Sequence, residues 1–91
     1  MGFEWDPIKA ESNVVKYGVD FADAALALED ELAVTIMDPM VDHEERFVTI
    51  GMTPDGRLVV VVYTWRGEAI RLISARRATS AERRHYERQS G

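Results

Sequence analysis

RLVVVVYTWRGEAIRLISARR, from Arg57 to Arg77, holds the longest apolar run of the chain and decides its fold. The segment Leu58 to Tyr63 is rich in β-branched residues and has no polar residue to face solvent. It therefore predicts a central strand buried on both sides. Arg66-Gly67 predicts a reversal, and Ala69 to Arg76 a returning antiparallel strand. With those two residues as the turn, Trp65 faces Glu68, Tyr63 faces Ile70, Val62 faces Arg71 and Arg57 faces Arg76. Like charges set directly opposite destabilise a sheet, so the last pair would want an anion between them.

The flanking segments extend this hairpin. Arg46 to Met52 reads as a strand and joins the central one through the turn Thr53-Pro54-Asp55-Gly56. Leu32 to Met37 is strand-like and closes at Asp38-Pro39, and PMVDHEE reads as a polar loop. At the start, Phe3-Glu4-Trp5 alternates as a short strand. Asp6-Pro7 then opens a helix that runs to about Tyr17 and stops at Gly18. Asp20 caps a second helix, whose Phe21, Ala24, Ala25 and Leu28 form one apolar stripe. Thr79-Ser80-Ala81-Glu82 has the pattern of a capping box and predicts a short helix through Arg88. The expectation is a single α+β domain over 1–91: an antiparallel sheet of three to four strands, two N-terminal helices packed on it, and a short C-terminal helix.

Ninety-one residues suffice for one core. The absence of cysteine excludes a disulfide framework and a thiolate metal site, and suits a reducing compartment. The N-terminal MGFEWDPIKAE lacks the basic flank and apolar stretch of a signal peptide, and Leu58 to Tyr63 is too short to span a bilayer. A cytoplasmic location, with no membrane partner, is expected. The net charge of −5 conceals a division. Residues 1–45 carry twelve carboxylates against two lysines, whereas residues 46–91 carry nine arginines against four carboxylates. Such asymmetry suggests a charged partner, and arginine suits forked recognition of phosphate or carboxylate. Mutual neutralisation of the two halves is the alternative.

Four blocks in order, FEWDPIKAESNVVKYGVDF, EERFVTIG, GRLVVVVYTWRGEAIRLISARRAT and ERRHYE, resemble the BrnT family of bacterial type II toxins, over nearly the whole chain. The resemblance implies a RelE-like fold and cleavage of RNA, without metal or other cofactor, that stops translation. It also implies a BrnA-like antitoxin partner that binds DNA, so that DNA is met only indirectly. The family pattern has His where this chain has Tyr17, in a Lys-His-Gly block that here reads Lys16-Tyr17-Gly18. A degenerate toxin, kept as an antitoxin-binding module in operon autoregulation, is the second function compatible with these residues.

Metal-independent cleavage needs a base for the 2′-hydroxyl, a cation for the crowded phosphate and an acid for the leaving oxygen. Arginine supplies charge but stays protonated. The expected catalytic set is Arg46, Arg71, Arg76, His43, Tyr17 and Lys16, and the expected RNA-binding set is Arg57, Tyr63, Trp65 and Arg77. Each has a plainer alternative. His43 in the acidic DHEE run is also a surface histidine, Tyr17 a residue closing the first helix, and Trp65 a cap on the sheet edge. Arg46, Arg71 and Arg76 are also candidates for pairing with Glu45 or Glu68. His85 on the last helix is less suited to proton transfer. Asp42, His43, Glu44 and Glu45 have the wrong spacing for a metal site.

Overall fold

The computed structural model describes residues 2–41 and 44–90. In chain order the elements are β1 (Gly2–Glu4), α1 (Pro7–Tyr17), α2 (Phe21–Ala27), β2 (Val34–Val41), β3 (Glu44–Met52), β4 (Leu58–Arg66), β5 (Ala69–Arg77) and α3 (Ser80–Ser90). The strands form one five-stranded sheet in the order β1-β5-β4-β3-β2, with the predicted apolar run at its centre. Leu58, Val59, Val60 and Val61 are each almost fully buried, as a strand covered on both faces requires.

Alternation along β4 divides the core in two. Val59, Val61 and Tyr63 pack with Val19, Phe21, Ala24, Ala25 and Ala27 beneath α2. Leu58 and Val60 point the other way and pack with Ile50 and Tyr86 beneath α3. The sheet is thus the middle of three layers. Tyr86 is held by Asp30, whose Oδ2 accepts from the Tyr86 hydroxyl at 2.7 Å and from the Met52 amide at 2.9 Å, while its Oδ1 accepts from Leu32 at 3.0 Å. Burial and this carboxylate push the phenol up to about 12. One carboxylate therefore ties the α2–β2 connection, the end of β3 and α3 together.

Three sequence expectations change. The sheet has five strands instead of three or four, and it is mixed, because β1 lies parallel to β5 with Phe3 beside Ile70 and Glu4 beside Arg71. The hairpin register also differs. Arg66 pairs with Ala69, so the turn is Gly67-Glu68, and Gly67 takes the positive φ of 63° that a primed two-residue turn requires. A bulge between Val62 and Tyr63 then shifts β5, setting Thr64 against Arg71 and Val60 against Arg76. Arg57 and Arg76 are not opposed. Finally, the described part of PMVDHEE is strand: β2 runs on to Val41, which pairs with Glu44 after a register irregularity, and Asp42 and His43 lie outside the described residues. Proline is tolerated there because β2 is an edge strand and needs no donor on its outer side.

The helices are anchored at single points. Asp6 and Asp20 cap α1 and α2, accepting from Ile8 and Ala22. Asn13 on α1 is buried, and its amide donates to the carbonyls of Ala75 (2.8 Å) and Val19 (2.9 Å) and accepts from the Ala75 amide (3.1 Å). The predicted capping box opens α3: Glu82 accepts from the Thr79 amide at 2.8 Å, and the Thr79 hydroxyl accepts from the Glu82 amide at 3.2 Å. The same Glu82 carboxylate takes a two-pronged bond from Arg76, 2.8 Å on each prong. Among the described residues no helix is long and apolar enough to cross a membrane.

Two stability predictions follow from these contacts. A Cβ added at Gly51 would lie 2.3 Å from the carbonyl oxygen of Ala27, a backbone atom that cannot swing aside. Gly51→Ala is expected to lower unfolding free energy by about 1–3 kcal/mol in urea titration. The hydrogen bonds from Arg76 hold the Glu82 carboxyl down to about 2. Its stabilising contribution is complete above the unfolded value near 4.5 and is lost as pH falls through about 2. Glu82→Gln should therefore flatten the fall in melting temperature between these pH values.

Candidate functional site

Arg46, Arg71 and Arg76 lie on one face of the sheet, the one α3 packs against. Arg46 alternates with Val48 and Ile50 along β3, Arg71 is opposite Thr64, and Arg76 is opposite Val60. The helix covers the Leu58 end of this face. At the other end, beyond the helix, a row crosses the strands. Phe47 pairs with Tyr63, which sets Arg46 beside Thr64; Thr64 pairs with Arg71, and Arg71 with Glu4. Adjacent strands are about 4.8 Å apart, so the two guanidinium stems rise roughly 10 Å from each other. The Thr64 hydroxyl is committed to the backbone, donating to the Glu45 carbonyl at 2.8 Å.

Glu4 closes the row. Its Oε1 lies 3.5 Å from Arg71 Nη1 and 3.9 Å from Arg66 Nε. These are loose ion pairs between half-exposed groups, so an incoming phosphate can compete for the same arginine. Nothing in the sequence marks Glu4, because only the parallel docking of β1 brings it to Arg71. The partners expected for the arginines, Glu45 and Glu68, are not those found for Arg71 and Arg76.

Arg76 is differently placed. Both its terminal nitrogens are held by Glu82, and one also donates to the Arg77 carbonyl at 3.2 Å. These bonds raise its already high pKa, with a smaller contribution from nearby Tyr17. Its observed work is to fasten α3 to β5. Lys16 and Tyr17 lie at the end of α1 and line a shallow groove of about 220 Å³ with Lys9, Ser12, Asn13, Ile73 and Ser74, where the bulged strand leaves room. The Lys16 ammonium lies 5.2 Å from the centre of the Tyr17 ring, within cation–π range. Ser74 is opposite Val62, on the same sheet face as Arg71 and Arg76.

The expected RNA-binding set is not brought together. Tyr63 is 7% exposed, stacked on Phe47 at 5.7 Å and hydrogen bonded to Thr49, so its ring serves the core. Arg57 is bound to Asp23 at 2.9 Å and to Asp55 at 3.1 Å, near the β3–β4 turn and far along the strand from Arg71. Trp65 is 44% exposed, but by alternation it shares the α1–α2 face with Tyr63. Arg77 is exposed and alternates to that same face from the other end of the hairpin. His43 lies outside the described residues. Pairs joining Arg57 to Asp23 and Arg66 and Arg71 to Glu4 cross between the basic and acidic halves, so part of the charge division is neutralised within the fold.

A second groove, of about 300 Å³, runs between α3 and the sheet. Its lining comprises Ile36, Val48 and Ile50 from the strands and Ala81, Glu82, His85 and Arg88 from the helix. The spacing of Ala81, His85 and Arg88, at i, i+4 and i+7, marks one helix face, a signal present in the sequence.

A search of the curated proteins finds no significant match. Among solved structures, the chain is similar to the ribonuclease toxin BrnT of Brucella abortus, known at 1.1 Å resolution. The TM-score is 0.65 at 29% identity, over 88% of this chain and 99% of that one. The family model described as "Ribonuclease toxin, BrnT, of type II toxin-antitoxin system" matches residues 5–82, which take in every element from α1 to β5 and the start of α3. The chain belongs to the BrnT family of ribonuclease toxins.

Proposed function

We propose that this chain is a RelE-like, metal-independent endoribonuclease that stops translation and is neutralised by a BrnA-like antitoxin. The observation that carries the reading is the row of Arg46, Thr64 and Arg71 closed by Glu4. In the reaction a 2′-oxygen attacks the adjacent phosphorus, the bond to the 5′-oxygen breaks, and a cyclic phosphate and a 5′-hydroxyl result. Arg46 and Arg71 offset the charge that builds on the phosphate oxygens, commonly the larger part of such catalysis. Glu4, beside Arg71, takes the 2′-hydroxyl proton. Tyr17, with Lys16, returns a proton to the leaving oxygen from the edge of β5.

One observation favours the second reading, a toxin fold retained for antitoxin binding and operon control. The Arg76 fork, a natural phosphate clamp, is already filled by Glu82. Under that reading the antitoxin still binds, but RNA is left intact.

Expression in a bacterium tests the first reading. The wild-type chain is expected to arrest growth, whereas Arg71→Ala and Glu4→Gln, checked for folding by circular dichroism, relieve the arrest. Cleavage of RNA by purified Glu4→Gln should fall about 10²- to 10⁴-fold, and chelators should leave wild-type cleavage unchanged. Normal growth with abundant, folded wild-type protein would overturn the enzyme reading. Titration with a BrnA-like antitoxin is expected to abolish cleavage, and persistent cleavage in a saturated complex would contradict neutralisation by occlusion.

A further inference from the structure

We infer that the groove between α3 and the β2–β3 edge is a nucleobase subsite, holding the base of a nucleotide whose phosphate lies on the arginine row. The inference rests on the ribonuclease reading and adds where the substrate's base goes. Three observations carry it. First, the floor is apolar and unfinished: Ile36 pairs with Val48 and is 51% exposed on an edge strand. A flat apolar group covering Ile36 and Val48 would remove that surface from water. Second, the groove is continuous with the row. Val48 and Arg46 are two residues apart on one strand and share a face, so their stems are about 6.6 Å apart. That is comparable to the reach from a nucleotide's phosphate to its own base.

Third, the charge at the rim suits a nucleotide. Arg88 stands at one side of the groove and Arg46 beyond its floor, both cationic, and among the described side chains the one lining carboxylate, Glu82, is occupied by Arg76 and the Thr79 amide. A phosphodiester therefore meets guanidinium groups on either side of the base. The His85 imidazole lines the same groove and offers a planar surface for stacking, which imidazole and aromatic rings supply in recognition of single-stranded RNA. Ala81 opens the space on the helix side: any larger side chain at that exposed helical position would enter the groove without disturbing the core. The volume of about 300 Å³ is sufficient for one base.

The test separates base from phosphate. Methyl and imidazole NMR signals of the full chain are followed during titration with a single-stranded RNA oligomer, and with a matched ribose-phosphate oligomer that carries no bases. The RNA oligomer is expected to shift Ile36, Val48 and His85 together with the guanidinium signals of Arg46 and Arg71. The abasic oligomer should shift the guanidinium signals alone. Ala81→Leu and His85→Ala are each expected to weaken RNA binding about tenfold and to leave abasic binding unchanged. Equal groove shifts with both oligomers, or none with either, would overturn the subsite and leave the floor to a protein side chain. Cleavage with a silent groove refutes the subsite alone, whereas groove shifts without any cleavage refute the ribonuclease reading alone.

Discussion

Six apolar residues in succession, Leu58 to Tyr63, cannot be placed at a water-exposed position without costing more than a domain of this size can offset. Their burial on both sides of one strand sets the rest of the architecture. A cover is needed on each face, and the chain supplies α1 and α2 on one side and α3 on the other. The covers are unequal. The α1–α2 layer contributes most of the core, while α3 meets the sheet through Tyr86 and the Arg76–Glu82 clamp. Because a single short helix does not reach the full length of the strands, one end of its face carries polar side chains, and the arginine row lies there with Arg71 and Glu4 partly exposed and Thr64 buried.

The local signals in the sequence were readable because each depends on neighbours in the chain. Asp6-Pro7, Asp20 and the Thr79–Glu82 box are sites where a side chain caps its own helix, and each acts as its pattern predicts. The central strand was equally legible from hydropathy. What was not legible depends on strands meeting at a distance. The short strand at Phe3-Glu4-Trp5 is legible, but its parallel docking on β5, which decides that Glu4 meets Arg71, is not. The bulge opposite Val62 and Tyr63 has no composition signature, yet it sets which arginines share a face.

The same distinction explains the uneven outcome for the site residues. Arg46 and Arg71 are legible as charges in strands, and alternation does place them on one face. Tyr63 and Trp65 have the aromatic character that stacking needs, but period two sends both to the opposite face, where one fills the core. The sequence offers Arg57 and Arg76 as phosphate-facing cations because it does not show that Asp23, Asp55 and Glu82 are their partners. For guanidinium groups, knowing the residue type is informative about chemistry and silent about occupancy.

The amide of Asn13 has a consequence for how other chains can attach. By bonding both backbone groups of Ala75, it fills the position a neighbouring strand would occupy where β1 stops short. At the other edge, Pro39 withholds a donor from β2. Each border of the sheet is thereby blunted at one point against strand addition, by a side-chain amide on one side and an imino acid on the other. A strand approaching at either of these two places meets a side-chain amide or an imino acid in place of a free pair of backbone groups.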